Sequence, residues 1–223
     1  MVTSVKRPPR NPRYAAIGFL VVSLLGCAPL SVMQDARLVP EDEERVGFAG
    51  LLTLPLTKGT TYDPAYGTRV TQGKQKDLQY IPLPSVVGWY RGGLGWVEGQ
   101  ASFAVPSFII TLALKLGLIG RAPNSPFALS ISGELNWSPL DGATTAGATL
   151  HTSLKLSDRL SPDLSGRVGN YPGFGLGLTV VPTLGVTLAL AGRRQLHVMV
   201  GGTIPTGIAE AKASTWLAVG VSY

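Results

Sequence analysis

The sequence predicts an all-β protein, an antiparallel, up-and-down transmembrane β-barrel of about ten strands (eight or twelve are also compatible) after a helical signal peptide. Three observations carry this reading. Segments of about ten residues alternate apolar and polar side chains, and short turn signals separate them. One face is apolar in nearly every segment, while the charges fall on the other face, one or two per strand. The chain also opens on an export signal, and no capped helix of convincing length follows residue 27. In lipid every backbone N–H and C=O has to be paired, and strands achieve that only in a closed sheet. A lipid-anchored soluble β-sandwich, acting as a binding module, is the alternative, since a sandwich also alternates.

The export signal spans residues 1–26. Lys6, Arg7, Arg10 and Arg13 form a basic region, Tyr14 to Leu25 an apolar core, and Leu24-Leu25-Gly26-Cys27 a small-residue cleavage site. The apolar core is too short to cross about 30 Å of hydrocarbon as a helix. The Leu24-Leu25-Gly26-Cys27 run resembles the lipobox of bacterial lipoproteins. That resemblance implies acylation of Cys27, removal of residues 1–26, and use of the lipoprotein export machinery. Ala28 stands where those lipoproteins often carry an aspartate for inner-membrane retention, so the resemblance points to the outer membrane of a diderm bacterium.

Residues 27–45 are expected to form a lipidated, solvated tether. They hold Pro29, Pro40 and the acidic run Glu41-Asp42-Glu43-Glu44, with no sustained apolar period. Residues 46–223 are assigned to the barrel domain, interrupted by a long exposed loop over 55–84 that contains Lys58-Gly59-Thr60-Thr61, Asp63-Pro64 and Gly73-Lys74-Gln75-Lys76. Strands are expected near 46–54, 84–91, 96–105, 107–118, 127–138, 145–157, 163–171, 174–190, 195–204 and 213–223. The clearest is Phe127 to Trp137, where Leu129, Ile131 and Leu135 alternate with Ser130, Ser132, Glu134 and Asn136. Pro182 either breaks the 174–190 segment into two strands or bulges it. At the last strand, Leu217, Val219, Val221 and Tyr223 occupy alternate positions. This pattern resembles the terminal-strand signal of outer-membrane barrels, and implies recognition by the barrel assembly machinery.

Charge and composition exclude several functions. The formal charge of +6 is inflated by the signal peptide, which carries four of the 19 basic residues and none of the 13 acidic ones. The remaining chain is close to balance and has no basic cluster, so nucleic acid is not an expected partner. Cys27 is the single cysteine and has no CxxC partner, and the two histidines stand at no recognised ligand spacing, so no cofactor and no metal are expected. The expected partners are outer-membrane lipid, the biogenesis machinery, and an envelope protein that the sequence does not identify.

Three constellations are candidates for function. Taking the polar face of each strand as inward gives a lumen charge network of Glu98, Lys115, Glu134, Lys155 and Arg167, with Gln100, Asn136, His151, Ser153 and His197 beside it. A turn centred at 105–107 sets Glu98 opposite Lys115. A narrow barrel fills its interior with side chains, and buried charges there need partners, so this network reads as a plug rather than an open pore. The second is His151-Thr152-Ser153, whose outer members share one strand face as a base and a nucleophile would need. This His-x-Ser spacing resembles that of outer-membrane lipid A deacylases, which implies an acyl hydrolase as a further alternative. In that family the pair faces lipid and an acid lies a few residues downstream. Here the pair falls on the predicted lumen face, Leu154-Lys155 replaces the family's Asn-Ala, and the next acid is Asp158. A hydrogen-bonded interior histidine is the simpler expectation, and no catalytic residue is assigned. The third is the aromatic set Trp89, Trp96, Trp137, Trp216, Tyr90, Tyr171 and Tyr223, which is expected to form belts at the bilayer interfaces. Gly175, Gly177, Gly185, Gly201, Gly202 and Gly220 are expected to make room for bulky neighbours or bends.

Overall fold

The computed structural model describes residues 34–55, 83–105, 108–120, 122, 125–139, 142, 144–170, 178–206 and 214–223. Ten strands form one closed sheet: β1 (Glu44–Pro55), β2 (Leu83–Leu94), β3 (Val97–Val105), β4 (Ile109–Ile119), β5 (Phe127–Trp137), β6 (Thr144–Leu154), β7 (Leu160–Asn170), β8 (Leu178–Ala189), β9 (Gln195–Thr206) and β10 (Ser214–Ser222). Each pairs antiparallel with its neighbour in sequence, and β1 closes the ring on β10. The sheet packs its inner face on itself, with no second sheet among the described residues, which overturns the sandwich alternative. The signal peptide, Cys27, residues 56–82 of the expected loop, Tyr171, Gly175 and Gly177 lie outside the described residues.

The ten expected strands all form. The described part of the segment expected over 174–190 holds one strand, β8. Pro182 sits within β8 with its ring outward, and the register to β9 is unchanged across it, from Val180↔Ile204 to Thr183↔Gly201. Closure leaves no open edge. The seam runs from Gly47↔Ser222 to Pro55↔Ser214. It is extended by Tyr223 N–H donating to the Val46 carbonyl (2.9 Å) and Val46 N–H donating to the Tyr223 carbonyl (3.3 Å). The Tyr223 ring lies 6.4 Å from Phe48 and under the Arg194 guanidinium at 5.6 Å, which fixes the aromatic end of the seam at the rim.

With nine to twelve residues per strand, a rise of about 3.3 Å and a tilt of about 40° give a barrel wall about 25 Å tall. Its exterior is apolar: Leu112, Leu114, Leu135, Leu164, Leu184 and Val200 all stand exposed. Among the described strand residues, the outward face carries a single charge, Glu44 at the first position of β1. Outward threonines satisfy their hydroxyls on the wall itself. Thr152 Oγ1 donates to the Leu164 carbonyl (2.9 Å), Thr206 Oγ1 to Leu178 (2.8 Å) and Thr215 Oγ1 to Gly201 (2.9 Å). A hydroxyl facing a medium without hydrogen-bonding capacity needs such a partner.

The belts hold for part of the aromatic set. Trp96, Trp137, Tyr90 and Tyr223 are exposed on the outer surface. Trp89 and Trp216 correct the expectation, because both point into the lumen and Trp216 is only 1% exposed. Each indole lies against a glycine. A Cβ on Gly47 would stand 2.3 Å from the Trp89 ring, and one on Gly201 would stand 2.2 Å from the Trp216 ring. Gly185 and Gly220 leave room in the same way for Met199 and for Ala49. No side chain larger than hydrogen fits beneath these residues.

The expected tether is the other correction. Residues 34–39 do not lie in solvent. They run inside the barrel, with Gln34, Asp35, Ala36, Leu38 and Val39 buried. The chain leaves over Gly93, where a Cβ would meet the Val39 and Pro40 carbonyls at 2.2 Å. It then turns through Pro40–Glu43, closed by Glu43 N–H donating to the Pro40 carbonyl (3.1 Å). Asp42 takes the left-handed conformation there (φ 61°), which short polar side chains tolerate.

Candidate functional site

The lumen has two levels, named here by the rim that holds the start of β1 and the end of β10. At this terminal rim the segment 34–39 meets a charged node built by β2, β3 and β4. The register aligns Gly92↔Gly99 and Glu98↔Lys115, so Arg91, Glu98 and Lys115 project inward side by side. Arg91 clamps Glu98 with two donors, Nε to Oε1 (2.6 Å) and Nη2 to Oε2 (2.9 Å). Lys115 Nζ lies 3.1 Å from the same carboxylate. The segment completes the node. Asp35 Oδ1 lies 3.1 Å from Arg91 Nη2, and the carbonyls of Asp35 and Arg37 accept from Lys115 Nζ at 3.1 and 3.2 Å. Arg91 Nη2 also donates to the Arg37 carbonyl (3.1 Å), and Val39 N–H donates to Glu98 Oε2 (2.8 Å). Two cations therefore face two carboxylates, and one of the carboxylates comes from the segment.

The other half of the terminal rim is lined by hydroxyls and a histidine. Ser153 Oγ donates to Asp163 Oδ1, and Thr187 Oγ1 donates to Asp163 Oδ2 (2.7 Å). With its proton on Asp163, Thr187 accepts from His197 Nδ1–H at 3.2 Å. His197 Nε2 is then left to accept from Ser222 (3.0 Å). Ala36 N–H donates to Ser153 Oγ (2.8 Å), so this rail too ends on the inserted segment. Arg37 anchors it from outside the node, through Nη2 to the Ser125 carbonyl (2.9 Å) in the β4–β5 connection. The segment is gripped from β2 round to β6.

The upper level is amphipathic. On β4–β7, Arg167 Nε pairs with Glu134 Oε1, and Thr111 Oγ1 donates to Asn136 Oδ1 (2.7 Å). On β8–β10 and β1–β3 the wall is apolar, with Trp216, Met199, Val181, Leu51, Val87 and Trp89 in one cluster. The Trp89 ring meets His197 edge-on at 6.2 Å, joining the two levels.

The expected charge network is thus placed as follows. Glu98 and Lys115 pair directly, and so do Glu134 and Arg167, all buried. Lys155 is the exception. It stands past the end of β6, with Nζ 2.9 Å from the exposed Asp158, and that bond holds the Asp158 carboxyl below its ordinary value. Gln100, Asn136, His151, Ser153 and His197 face the lumen as expected. His151 and Ser153 share a face but engage different partners. His151 Nε2 bonds Ser132 Oγ (2.9 Å), while Ser153 bonds Asp163 and Ala36. Both are buried in the lumen rather than set toward lipid, so the arrangement that the hydrolase resemblance requires does not form. Arg91 and Asp35, central to the node, were not among the expected residues.

No protein-family model matches this sequence, and no curated protein matches it. The chain is similar to solved structures, among them two bacterial channel proteins. One is the anion-selective porin from Comamonas acidovorans, at 14% identity and a TM-score of 0.33, covering 63% of this chain and 49% of the porin. The other is an outer membrane channel from Pseudomonas putida F1, at 11% identity and a TM-score of 0.46, covering 84% of this chain and 97% of the channel. The chain spans about half the porin's length.

Proposed function

We propose that this protein is an outer-membrane β-barrel, lipid-anchored through Cys27, that its own N-terminal segment closes. Its role is structural or interactive within the cell envelope, with the 55–84 loop as the presented surface. One observation carries this reading: residues 34–39 are buried inside a barrel whose outer wall is apolar. The wall height matches the apolar band of outer-membrane barrels, about 25 Å. The lumen segment supports a short anchor. Cys27 stands seven residues before Gln34, a reach of about 25 Å at most, so an acyl chain there stays beside the barrel. Lipid and the barrel assembly and lipoprotein export machineries are the partners this implies.

The test is electrophoretic mobility of outer-membrane fractions, unheated against boiled in detergent, alongside Cys27→Ser. A shift on boiling is expected, and the Cys27→Ser protein should still shift. No shift, with release of the Cys27→Ser protein into the soluble fraction, would make the chain a tethered soluble domain. In liposomes the wild-type protein is expected to pass little current, and deletion of residues 34–43 to raise ion flux.

A further inference from the structure

We infer that the charged node in the lumen is a binding site for a small carboxylate, occupied in this structure by the protein's own Asp35. The inference rests on the reading of residues 34–43 as a plug and deepens it. The wall supplies two cations, Arg91 and Lys115, against one carboxylate, Glu98, within the node. The second carboxylate arrives on the segment, not on a strand. The guanidinium of Arg91 holds the Asp35 carboxylate, and the Lys115 ammonium lies next to it on the Asp35 and Arg37 carbonyls, so a carboxylate fits on Arg91 with a second cation close by.

Two features make Asp35 a replaceable occupant. Gln34 is buried beside it, and among the described residues neither its amide nitrogen nor its amide oxygen has a hydrogen-bond partner; Arg37 Nη1 lacks one there as well. Burying polar atoms unpaired opposes docking of the segment, and withdrawal returns them to water. The segment is also held by polar contacts that a solute and water reproduce: one carboxylate on Arg91, carbonyls on Lys115, and one amide on Ser153. The lumen at this level accommodates a peptide backbone with its side chains, which is at least as wide as a two- to four-carbon carboxylate. A carboxylate solute therefore competes with Asp35, and its binding releases the plug.

The test measures plug exposure. Ala36→Cys is made in the full chain with Cys27→Ser, and the rate of maleimide labelling is followed in folded, heat-modifiable protein. Acetate is exchanged for chloride at constant ionic strength. The labelling rate is expected to rise about tenfold as acetate replaces chloride, in proportion to the released fraction. With Lys115→Gln added, the acetate dependence is expected to vanish. A rate that is the same in acetate and chloride overturns the site, because the plug is then a fixed stopper or yields only to general screening. Leu38→Cys gives the same readout if Ala36→Cys does not fold. Loss of heat modifiability in the Cys27→Ser parent strikes the barrel reading, whereas an indifferent labelling rate in heat-modifiable protein strikes only the carboxylate site.

Discussion

Arg91, Lys115 and the Val39 amide all donate to Glu98, which is fully buried. Removing one member of a buried ion pair leaves the other charges desolvated without a counter-charge, and this costs more than the pair ever contributed. Glu98→Ala is therefore expected to lower unfolding stability by about 3–5 kcal/mol. The control is Arg193→Ala. Arg193 lies 3.8 Å from Glu43 with its side chain 81% exposed, so its loss should cost about 0–1 kcal/mol. Urea titration in one detergent, read by the heat-sensitive gel shift, separates the two. Equal midpoints would mean that water reaches the node and screens it. The Glu98–Lys115 pairing was legible in the sequence, because the turn expected there sets the two residues opposite each other, as the register does. Arg91 was not, for a local reason. Val87 and Trp89 share its inward face, while Val86 and Tyr90 point outward, so β2 is apolar on both faces and its alternation hides which side is the lumen.

At the scale of elements, the strands were legible and the inserted segment was not. β5 and β6 alternate cleanly because their inner face meets polar groups and their outer face does not, and both appear where the period placed them. Residues 34–39 carry no such period. Their burial comes from backbone and side-chain bonds to a lumen assembled from strands distant in sequence, and local spacing cannot encode those. The two interior tryptophans escaped for a related reason: in a narrow lumen an inward position can be apolar when a facing glycine makes room. That explanation gives a contrast between glycines. Gly201→Ala puts a methyl group into the Trp216 ring and the Pro182 carbonyl, and is expected to cost about 1–3 kcal/mol. At Gly133 nothing lies within 4 Å of the added Cβ, so Gly133→Ala should be neutral or stabilise by up to about 1 kcal/mol through the unfolded chain. Urea midpoints that move together in both variants would show that the indole does not rest on Gly201.

For the whole molecule, the interior and exterior exchange the roles they have in a water-soluble protein. Ion pairs, histidines and hydroxyls fill much of the middle beside one apolar cluster, and leucines cover the outside. The hydrophobic effect cannot hold such a particle together in water. In lipid, the stabilising terms are the closed ladder of backbone hydrogen bonds around ten strands and the transfer of the outer side chains into hydrocarbon. The medium outside the wall should then set the cost of an outward charge, and the cost should vary with depth. Leu114 is 62% exposed near the middle of β4, and Leu94 is 70% exposed at the end of β2. In phospholipid vesicles, Leu114→Arg is expected to cost about 2–4 kcal/mol and Leu94→Arg about 0–1 kcal/mol, a depth profile that water cannot produce. If both arginines were equally tolerated, the apolar wall would face another protein surface or solvent. The plug would then close a barrel that does not cross a membrane.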